Sequence, residues 1–299
     1  GEALPSFLPG QFLTFRLDVS TAAGLSEQIV RCYSLSDAPR PDYYRVSIKR
    51  VLAPPGCDVL PGRSSNHFHD QVTVGSVLQV RAPSGHFHID RSDDPVVLIG
   101  GGIGITPMMS MLRWCLAEQP QRVLHFYYGL RNSREHAYKA QLEALAAAHS
   151  DLRLNVVYSR PGPEDEQGRD FQHRGHVDVD LLRHTLPHGR HQFYVCGPPA
   201  MMQALVPAVV EWGVPIADLH YEAFGPASVK LPGAVAAPGT AVTEVAVQFR
   251  RSGRTLVWNG QAASLLDFAE RHGVAVESGC RSGGCGRCET GVAEGSVQY

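Results

Sequence analysis

One long uncharged run, from Pro95 to Leu112, constrains the fold of this chain more than any other segment. Its length would suit a membrane-spanning helix, but four glycines and a proline fall within the eight residues GGGIGITP. The apolar residues therefore divide into a short buried strand before the glycines and a helix after them. This pattern predicts a strand–turn–helix unit of an α/β domain and argues against a membrane span.

The hydrophobic pattern divides the chain into three regions and a linker. Residues 1–92 hold short runs rich in β-branched and aromatic residues between turn residues, which predicts an antiparallel β-barrel. Residues 93–225 alternate strand and helix patterns, which predicts an α/β domain with a parallel sheet. Residues 226–241 form a linker of small residues, Pro and Gly, and residues 242–299 end in a loop rich in glycine and cysteine.

The individual elements follow from the same patterns. In the first region we expect strands at Gln11–Asp18, Ile29–Ser36, Tyr43–Val51 and Val77–Ala82. In the second we expect strands at Val96–Gly100, Val123–Leu130, Leu152–Arg160 and Gln192–Cys196, and helices from Thr106, at His136–His149 and at Pro199–Trp212. In the last we expect a hairpin of Glu244–Arg250 with Thr255–Trp258, then a helix at Ser264–His272.

Composition and charge narrow the classes of function. The chain has 299 residues, of which 43% are hydrophobic, and this composition is globular rather than disordered. The formal net charge of −2 gives no general attraction to nucleic acid or to an anionic membrane. The first ten residues lack the basic start and the apolar core of a secretory signal. Three of the seven cysteines crowd between positions 280 and 288, which indicates metal binding in a reducing compartment, so we expect a cytoplasmic protein.

The cysteine loop has the spacing C-x₄-C-x₂-C, formed by Cys280, Cys285 and Cys288. Thiolates are soft ligands that suit an iron–sulfur core, and the interspersed glycines let the backbone approach that core. The spacing is that of plant-type [2Fe–2S] sites, whereas zinc sites usually pair C-x₂-C units. Residues 242–299 resemble the plant-type ferredoxin family, which implies a β-grasp-like domain and a fourth cysteine ligand further along. We therefore expect this domain to be incomplete at Tyr299 and the chain to be part of a longer protein.

A second group of motifs lies in the first region. Arg31, Tyr33 and Ser34 fall on one predicted strand, where Arg31 and Tyr33 share a face and Ser34 points to the other. Arginine can pair with phosphate oxygens, and tyrosine can pack on a flavin ring. Ser64 and Ser65 stand at the predicted start of a short helix, where free backbone amides form a natural phosphate site.

These motifs resemble the ferredoxin–NADP⁺ reductase superfamily over about residues 5–225. The resemblance is carried by the order R-x-Y-S, then V-S-I-K-R, then G-x-x-S-N, which begins at Gly62. It implies that the first motif holds the flavin and the third holds the FAD pyrophosphate, so FAD is expected rather than FMN. Ser47 and Lys49, from the second motif, are expected to contact the cofactor as well. The insert Ala53–Pro61 departs from the family pattern because it lengthens the loop before the phosphate site.

The glycine turn that follows the expected strand at Val96–Gly100 predicts a nucleotide site. Thr106 is expected as the N-cap of the next helix, and Pro107 suits the first helical position. The glycines let the backbone approach a pyrophosphate at the helix N-terminus. The turn is not G-x-G-x-x-G, but it resembles the reductase superfamily's G-G-x-G-I-T-P motif. The resemblance implies nucleotide contacts from Gly101, Gly102, Gly104 and Thr106.

Two further strand ends add to this resemblance. Cys196, Gly197 and Pro198 are similar to the superfamily's C-G-P motif, whose cysteine lies beside the nicotinamide. Glu222 and Phe224 resemble its terminal E-x-aromatic, which implies a carboxylate and a ring at the flavin. A lone buried cysteine is usually a small hydrophobe and an aromatic ring usually packs in a core, so both also have a purely structural interpretation.

Ser159 and Arg160 end a predicted strand at the position where NADP⁺-preferring members of the superfamily bind the 2′-phosphate. An arginine there makes chemical sense, because its guanidinium matches phosphate geometry. The pair could equally form a capped, solvated strand end. The choice between NADH and NADPH therefore stays open.

Other chemistry-bearing patterns are weaker. Two H-x-H pairs, His67 with His69 and His86 with His88, have no evident third ligand, and we interpret them as ordinary histidines. Neither G-x-S-x-G nor H-E-x-x-H is present, so hydrolase chemistry has no support.

The resemblance implies an NAD(P)H-dependent flavin iron–sulfur oxidoreductase. Hydride would pass from nicotinamide to flavin, and single electrons would pass through the cluster to an acceptor protein such as an oxygenase. Ser34 and Glu222 would adjust hydrogen bonding around the flavin, and Cys196 would shape the nicotinamide pocket. Two alternatives stay open: the reductase part of a flavohaemoglobin-like nitric oxide dioxygenase, and a non-catalytic electron-relay module with degenerate flavin sites. The cysteine loop argues against the first, and the intact series of motifs argues against the second.

Overall fold

A computed structural model describes most of the chain. The described residues are 3–20, 24–53, 56, 60–224, 229, 244–262, 264–276, 278 and 288–295. Their elements form an antiparallel sheet first, a parallel α/β unit next, and a hairpin with a helix last. No helix among these residues is long and apolar enough to cross a membrane, and the run from Pro95 to Leu112 forms a strand and part of a helix.

The first unit is built on three antiparallel strands in the order β2-β1-β3. Its elements are β1 (Phe12–Ser20), β2 (Ser26–Ser34), helix α1 (Arg63–Asp70) and β3 (Gln79–Val80). Along β1, the buried residues Phe15, Leu17 and Val19 alternate with exposed polar residues. Alternate side chains of a strand point to opposite faces, so one face of β1 forms the core of this unit and the other meets solvent. The antiparallel arrangement predicted for the β-barrel of the first region is therefore confirmed, and its bounds at residues 1–92 stay a prediction.

Residues 43–51 do not form the regular strand that the sequence predicts. Their strand-like pairing is limited to an isolated bridge between Leu35 and Val46. Contacts to α1 hold them instead: the Val51 N–H donates to Ser65 Oγ, and Arg50 pairs with Asp70. The prediction is wrong because β-branched residues indicate an extended backbone, but a ladder also needs a neighbouring strand.

The second unit is a parallel six-stranded sheet in the order β7-β6-β5-β4-β8-β9. Its strands are β4 (Val96–Gly101), β5 (Leu124–Leu130), β6 (Leu152–Tyr158), β7 (His173–Arg174), β8 (Gln192–Gly197) and β9 (Leu219–Ala223). Its helices are α2 (Ile105–Glu118), α3 (Lys139–Ala148), α4 (Val179–Thr185) and α5 (Pro199–Glu211). The parallel order confirms the predicted α/β domain and brings the carboxyl ends of β4, β8 and β9 together at one edge.

Two apolar cores lie on the two faces of the parallel sheet. One contains Leu98 and residues of α2 and α3, and the other contains Val97 and residues of α4 and α5. Because both faces are covered, every residue of β4 and β8 is buried. Helix α3 begins at Lys139 rather than His136, because a 3₁₀ turn at Ser133–Glu135 and the left-handed residue Tyr138 precede it.

The last unit contains a hairpin and a helix. Strands β10 (Val245–Phe249) and β11 (Arg254–Trp258) pair antiparallel, and helix α6 (Leu265–Arg271) follows. The Ser264 hydroxyl accepts a hydrogen bond from the Asp267 N–H and so caps the helix. Phe268 is buried and packs edge-on against Trp258, with ring centroids 5.1 Å apart. The predicted order of hairpin and helix is confirmed.

Candidate active site

Two strand-to-helix turns abut at the carboxyl edge of the parallel sheet. Strand β4 continues through a 3₁₀ turn, Gly102–Gly104, into α2, and β8 ends at Gly197 just before α5. A Cβ placed on Gly104 would lie 2.3 Å from the carbonyl oxygen of Cys196. No other residue type would allow this approach without a shift, so direct backbone contact holds the two turns together.

The start of α2 offers backbone amides to a ligand. Its N-cap residue, Gly104, has no side chain that could accept from the first-turn N–H groups. Gly102 has a φ of +52°, and nothing lies within 4 Å of the position that its Cβ would take. The backbone of this glycine turn, beside open space and next to the N-terminus of α2, forms a good site for a dinucleotide pyrophosphate. The residues present therefore fit a bound nucleotide.

Thr106 does not cap this helix. Helix α2 begins at Ile105, because the 3₁₀ turn runs into it without a break, and this places Thr106 and Pro107 inside the first turn. The buried Thr106 hydroxyl donates to the carbonyl oxygen of Ile103 at 3.1 Å. The predicted N-cap role is therefore wrong, and the predicted contact of Thr106 with the nucleotide stays a prediction.

Cys196 and Glu222 are neighbours on paired strands. The parallel register of β8 and β9 places Cys196 beside Glu222. Cys196 is fully buried, and this burial, with the nearby charge of Glu222, raises the pKa of its thiol. The thiol is therefore protonated at neutral pH and is not a nucleophile. Phe224, just beyond β9, is 37% exposed, so its ring is available at this edge and is not a core residue.

Ser159 and Arg160 follow β6 at the same edge of the sheet. The Ser159 N–H donates to the carbonyl of Leu130, and the Arg160 N–H donates to the carbonyl of Arg131. Backbone hydrogen bonding to the end of β5 and the residue after it therefore continues past the end of β6. The Ser159 hydroxyl also donates to the Leu130 carbonyl, at 3.4 Å. The guanidinium of Arg160 is exposed and could meet an anion.

In the first unit, Tyr33 joins β2 to the start of α1. Its hydroxyl oxygen lies 2.7 Å from the hydroxyl oxygen of Ser64. The Tyr33 ring packs edge-on against Phe15 and Phe68, with centroids 5.8 and 5.2 Å away. Burial raises the pKa of the Tyr33 hydroxyl, which therefore stays protonated at neutral pH.

The start of α1 also has an N-cap residue without a side-chain cap, Gly62. The Ser65 hydroxyl accepts from the Val51 N–H at 3.2 Å and donates to the Gly62 carbonyl at 3.1 Å. Because the protein itself engages this hydroxyl, the first-turn amides are the groups that could meet a phosphate. Gly62 is required by packing, since a Cβ there would lie 2.8 Å from the Cβ of Val51.

Arg31 and Ser34 differ in exposure along β2. Arg31 is exposed, and its guanidinium donates to the carbonyl oxygen of Val30 at 2.7 Å. Ser34, the last residue of the strand, is only 5% exposed. An exposed guanidinium on the strand that contacts α1 fits a phosphate-bearing cofactor such as FAD.

Ser47 and Lys49 contact the α/β unit. The Ser47 hydroxyl lies 2.9 Å from that of Ser36 and also hydrogen-bonds to the hydroxyl of Tyr138. The Lys49 ammonium pairs with Glu135 at 3.1 Å. Sequence reasoning missed Tyr138 and Glu135, because no local pattern marks a residue whose partner lies in another domain.

Of the three cysteines predicted to bind a cluster, Cys280 and Cys285 lie outside the described residues. Cys288 is described, and it is half-buried with a free thiol. Among the described residues, no three His, Cys, Asp or Glu side chains come together as a metal site. Ring nitrogens of His69 and His88, from the two H-x-H pairs, hydrogen-bond to backbone carbonyl groups.

Comparison with known proteins places these features in a family. The profile of the oxidoreductase NAD-binding domain matches residues 98–206, and that of the 2Fe–2S iron–sulfur cluster binding domain matches residues 247–299. The flavohem-like FAD/NAD-binding domain of nitric oxide dioxygenase from Vibrio cholerae is similar at 33% identity and a TM-score of 0.65, over 76% of this chain and 89% of that chain. The chain belongs to the ferredoxin–NADP⁺ reductase superfamily. It also carries a 2Fe–2S domain, over residues 247–299.

Two further relatives show how far the similarity to this reductase extends. Phthalate dioxygenase reductase is similar at 26% identity and a TM-score of 0.59, over 96% of this chain and 77% of that chain. The flavohemoprotein of Bacillus cereus is 38% identical over 229 residues, which are 76% of this chain and 56% of that protein. The chain thus spans a little over half of the length of the flavohemoproteins it matches. Its domains are those of an NAD(P)H-dependent flavin iron–sulfur oxidoreductase.

Proposed function

We propose that this reductase takes reducing equivalents from NAD(P)H and passes them through FAD and a [2Fe–2S] cluster to an acceptor protein. One arrangement carries the proposal: Cys196 beside Glu222, with the open turn at Gly102 and the exposed ring of Phe224 at the same sheet edge. A 2Fe–2S domain follows in the same chain. Phthalate dioxygenase reductase, which is similar over 96% of this chain, is described as modular for electron transfer from pyridine nucleotides to [2Fe–2S].

On the nucleotide side, the residues bind and orient. The backbone of the glycine turn before α2 would hold the pyrophosphate in the open space beside Gly102. The residues proposed to line this site are Gly101, Gly102, Gly104, Thr106, Gly197 and Pro198. The buried, protonated thiol of Cys196 would exclude water beside the nicotinamide. When bound, the two cofactors supply the hydride donor and the acceptor, and that redox chemistry is their own.

On the flavin side, charge and hydrogen bonds would fix the cofactor. The exposed Arg31 guanidinium and the first-turn amides of α1, at Ser64 and Ser65, would meet the FAD phosphates. The residues proposed to contact the rest of the cofactor are Tyr33, Ser34, Ser47, Lys49, Glu222 and Phe224, with Gly62 shaping the turn before α1. The carboxylate of Glu222 would hold a hydrogen bond or a proton beside the ring.

The cluster and the acceptor complete the proposal. Cys280, Cys285 and Cys288 would bind the [2Fe–2S] core with a fourth ligand, and an oxygenase would receive the electrons. A thiolate site of this kind suits a reducing compartment, so we propose the cytoplasm. The similarity to flavohemoproteins supports a nitric oxide dioxygenase reductase as the alternative. The 2Fe–2S match over residues 247–299 favours the iron–sulfur reductase instead.

An absorbance spectrum of the purified holoprotein, taken anaerobically before and after NADH or NADPH, tests the proposal. We expect flavin bands and a broad iron–sulfur absorbance, both bleached by at least one nucleotide. The variant Cys288→Ser should lose the broad absorbance and keep the bleachable flavin bands. A flavin spectrum without iron–sulfur absorbance would remove the cluster from the electron path. A colourless protein would contradict the enzyme assignment.

A further inference from the structure

Two polar contacts join residues 43–51 of the first unit to the α/β unit. The Ser47 hydroxyl bonds to the hydroxyl of Tyr138, and the Lys49 ammonium pairs with Glu135 at 3.1 Å. Tyr138 and Glu135 both lie in the short connection between β5 and α3. Two contacts between the same two segments resist both sliding and rotation, which one contact alone does not.

On each unit, one residue of this double contact makes a second polar contact within its own unit. On the first unit, Ser47 also bonds to Ser36 at 2.9 Å, and Ser36 is fully buried. On the α/β unit, the other carboxylate oxygen of Glu135 pairs with Arg131 at 3.1 Å. Ser47 on the first unit and Glu135 on the α/β unit are therefore each held by a second polar contact within their own unit.

The backbone of Tyr138 gives an independent sign that this contact matters. Among the described residues, Tyr138 is the one non-glycine residue with a positive φ, at 62°. The left-handed region is disfavoured for a bulky side chain, and such strain persists where the surroundings require it. Here it sets the direction of the side chain at the N-cap of α3, where the Tyr138 hydroxyl reaches Ser47 across the domain boundary.

We propose that Tyr138 is a positioning residue for hydride transfer. Through Ser47, and together with the Glu135–Lys49 pair, it holds residues 43–51 in place against the nucleotide-binding sheet. The inference rests on the proposed function, because Ser47 and Lys49 are proposed there to contact the flavin. In this role Tyr138 acts through Ser47, to which its hydroxyl bonds. The rate of such a transfer is sensitive to placement, since a misplacement of roughly 1 Å can lower a rate by about 100-fold.

The test removes a single hydroxyl. Tyr138→Phe keeps the ring, and Tyr127→Phe is its matched control, because the Tyr127 hydroxyl also pairs with a hydroxyl, that of Thr185 at 2.6 Å, but within the α/β unit. Anaerobic stopped-flow bleaching of the flavin by NADH or NADPH is measured for both variants. We expect Tyr138→Phe to lower the limiting rate about tenfold with little change in the apparent Kd for the nucleotide. We expect Tyr127→Phe to match the wild type.

A second readout uses the flavin-free protein and does not depend on activity. Amide hydrogen exchange over residues 43–51 should be faster in Tyr138→Phe than in the wild type, and unchanged in Tyr127→Phe. Should Tyr138→Phe fail to fold, Glu135→Gln removes the ion pair to Lys49 and should shift both measurements in the same direction.

The outcomes separate this inference from the function it rests on. Wild-type bleaching rates and wild-type exchange in Tyr138→Phe would overturn the positioning role and leave the proposed function standing. A wild-type flavin that neither nucleotide bleaches would overturn the proposed function, and the positioning role with it.

Discussion

The two regions of this reductase that we propose to face its cofactors, the nucleotide side and the flavin side, are built in different ways. On the nucleotide side, the turn at Gly102–Gly104 and the turn after β8 meet by backbone contact, with Gly104 against the Cys196 carbonyl. On the flavin side, contacts between side chains do the joining, such as Tyr33 with Ser64. Backbone contact demands glycine at a given place and so marks the sequence. Side-chain contacts between distant segments leave no such mark.

Charge distinguishes the nucleotide side from the boundary between the β unit and the α/β unit, which we call the seam. The seam holds the carboxylate of Asp37, whose side chain is 7% exposed, between Arg45 and Arg113 at 2.8 Å each. Arg113 comes from α2, so this ion pair crosses between the units. The glycine turns have no charged side chain of their own. The nucleotide side is thus fixed by close packing, and the seam is fixed by charge.

Gly104→Ala should have the largest effect, and it tests the packing half of this comparison. The new Cβ would lie 2.3 Å from the Cys196 carbonyl oxygen and 2.8 Å from the Gly197 nitrogen. Because both neighbours are backbone, relief requires one turn to move, and we expect a loss of roughly 3 kcal/mol or more in stability. Thermal unfolding measures this. Gly291→Ala, where a Cβ would meet nothing within 4 Å, is the control. A Gly104→Ala protein as stable as that control would contradict close packing of the turns.

Asp37→Asn tests the charged seam, and we expect a loss of about 2 kcal/mol, since it leaves two arginines facing a neutral group. Burial alone would raise the pKa of Asp37, but the hydrogen bond and charge of Arg113, with hydrogen bonds from Tyr43 and the Ala38 N–H, outweigh it and hold this pKa below its ordinary value. A depressed folded-state pKa contributes stability that is present above about pH 4 and is lost as the pH falls below it.

Acid unfolding followed by circular dichroism checks this pH dependence. The wild type should lose stability more steeply below about pH 4 than Asp37→Asn does, because the variant has no proton to take up at this position. Asp42→Asn, at an exposed residue, serves as the control and should follow the wild type. Equal acid sensitivity of the wild type and Asp37→Asn would show that the seam does not depend on this charge.

Arg160→Ala should have the smallest effect, and it sharpens the comparison by testing a side chain on the nucleotide side. The exposed guanidinium after β6 would meet a 2′-phosphate, so we expect the KM for NADPH to rise about tenfold and the KM for NADH to stay unchanged. Steady-state kinetics with both nucleotides measures this. Arg153→Ala, at the amino end of β6, is the matched control. Unchanged KM values for both nucleotides would identify Arg160 as part of a solvated strand end.

The sequence by itself determined the parts of this protein that depend on local chemistry. The glycines after β4 and the alternation of strand and helix patterns predicted the parallel sheet, and the spacing of Cys280, Cys285 and Cys288 predicted the 2Fe–2S domain that its family profile matches. Such features are readable because periodicity and turn chemistry are properties of neighbouring residues.

Only the tertiary structure decided the rest. In the structure, α2 begins at Ile105 rather than at Thr106, residues 43–51 form no strand ladder, and the Tyr138 hydroxyl bonds to Ser47. The first outcome follows from the 3₁₀ turn Gly102–Gly104 that runs into α2, whereas the other two depend on residues far away in the chain. The free energy of such a contact belongs to the pair, and neither residue shows it in its own sequence neighbourhood.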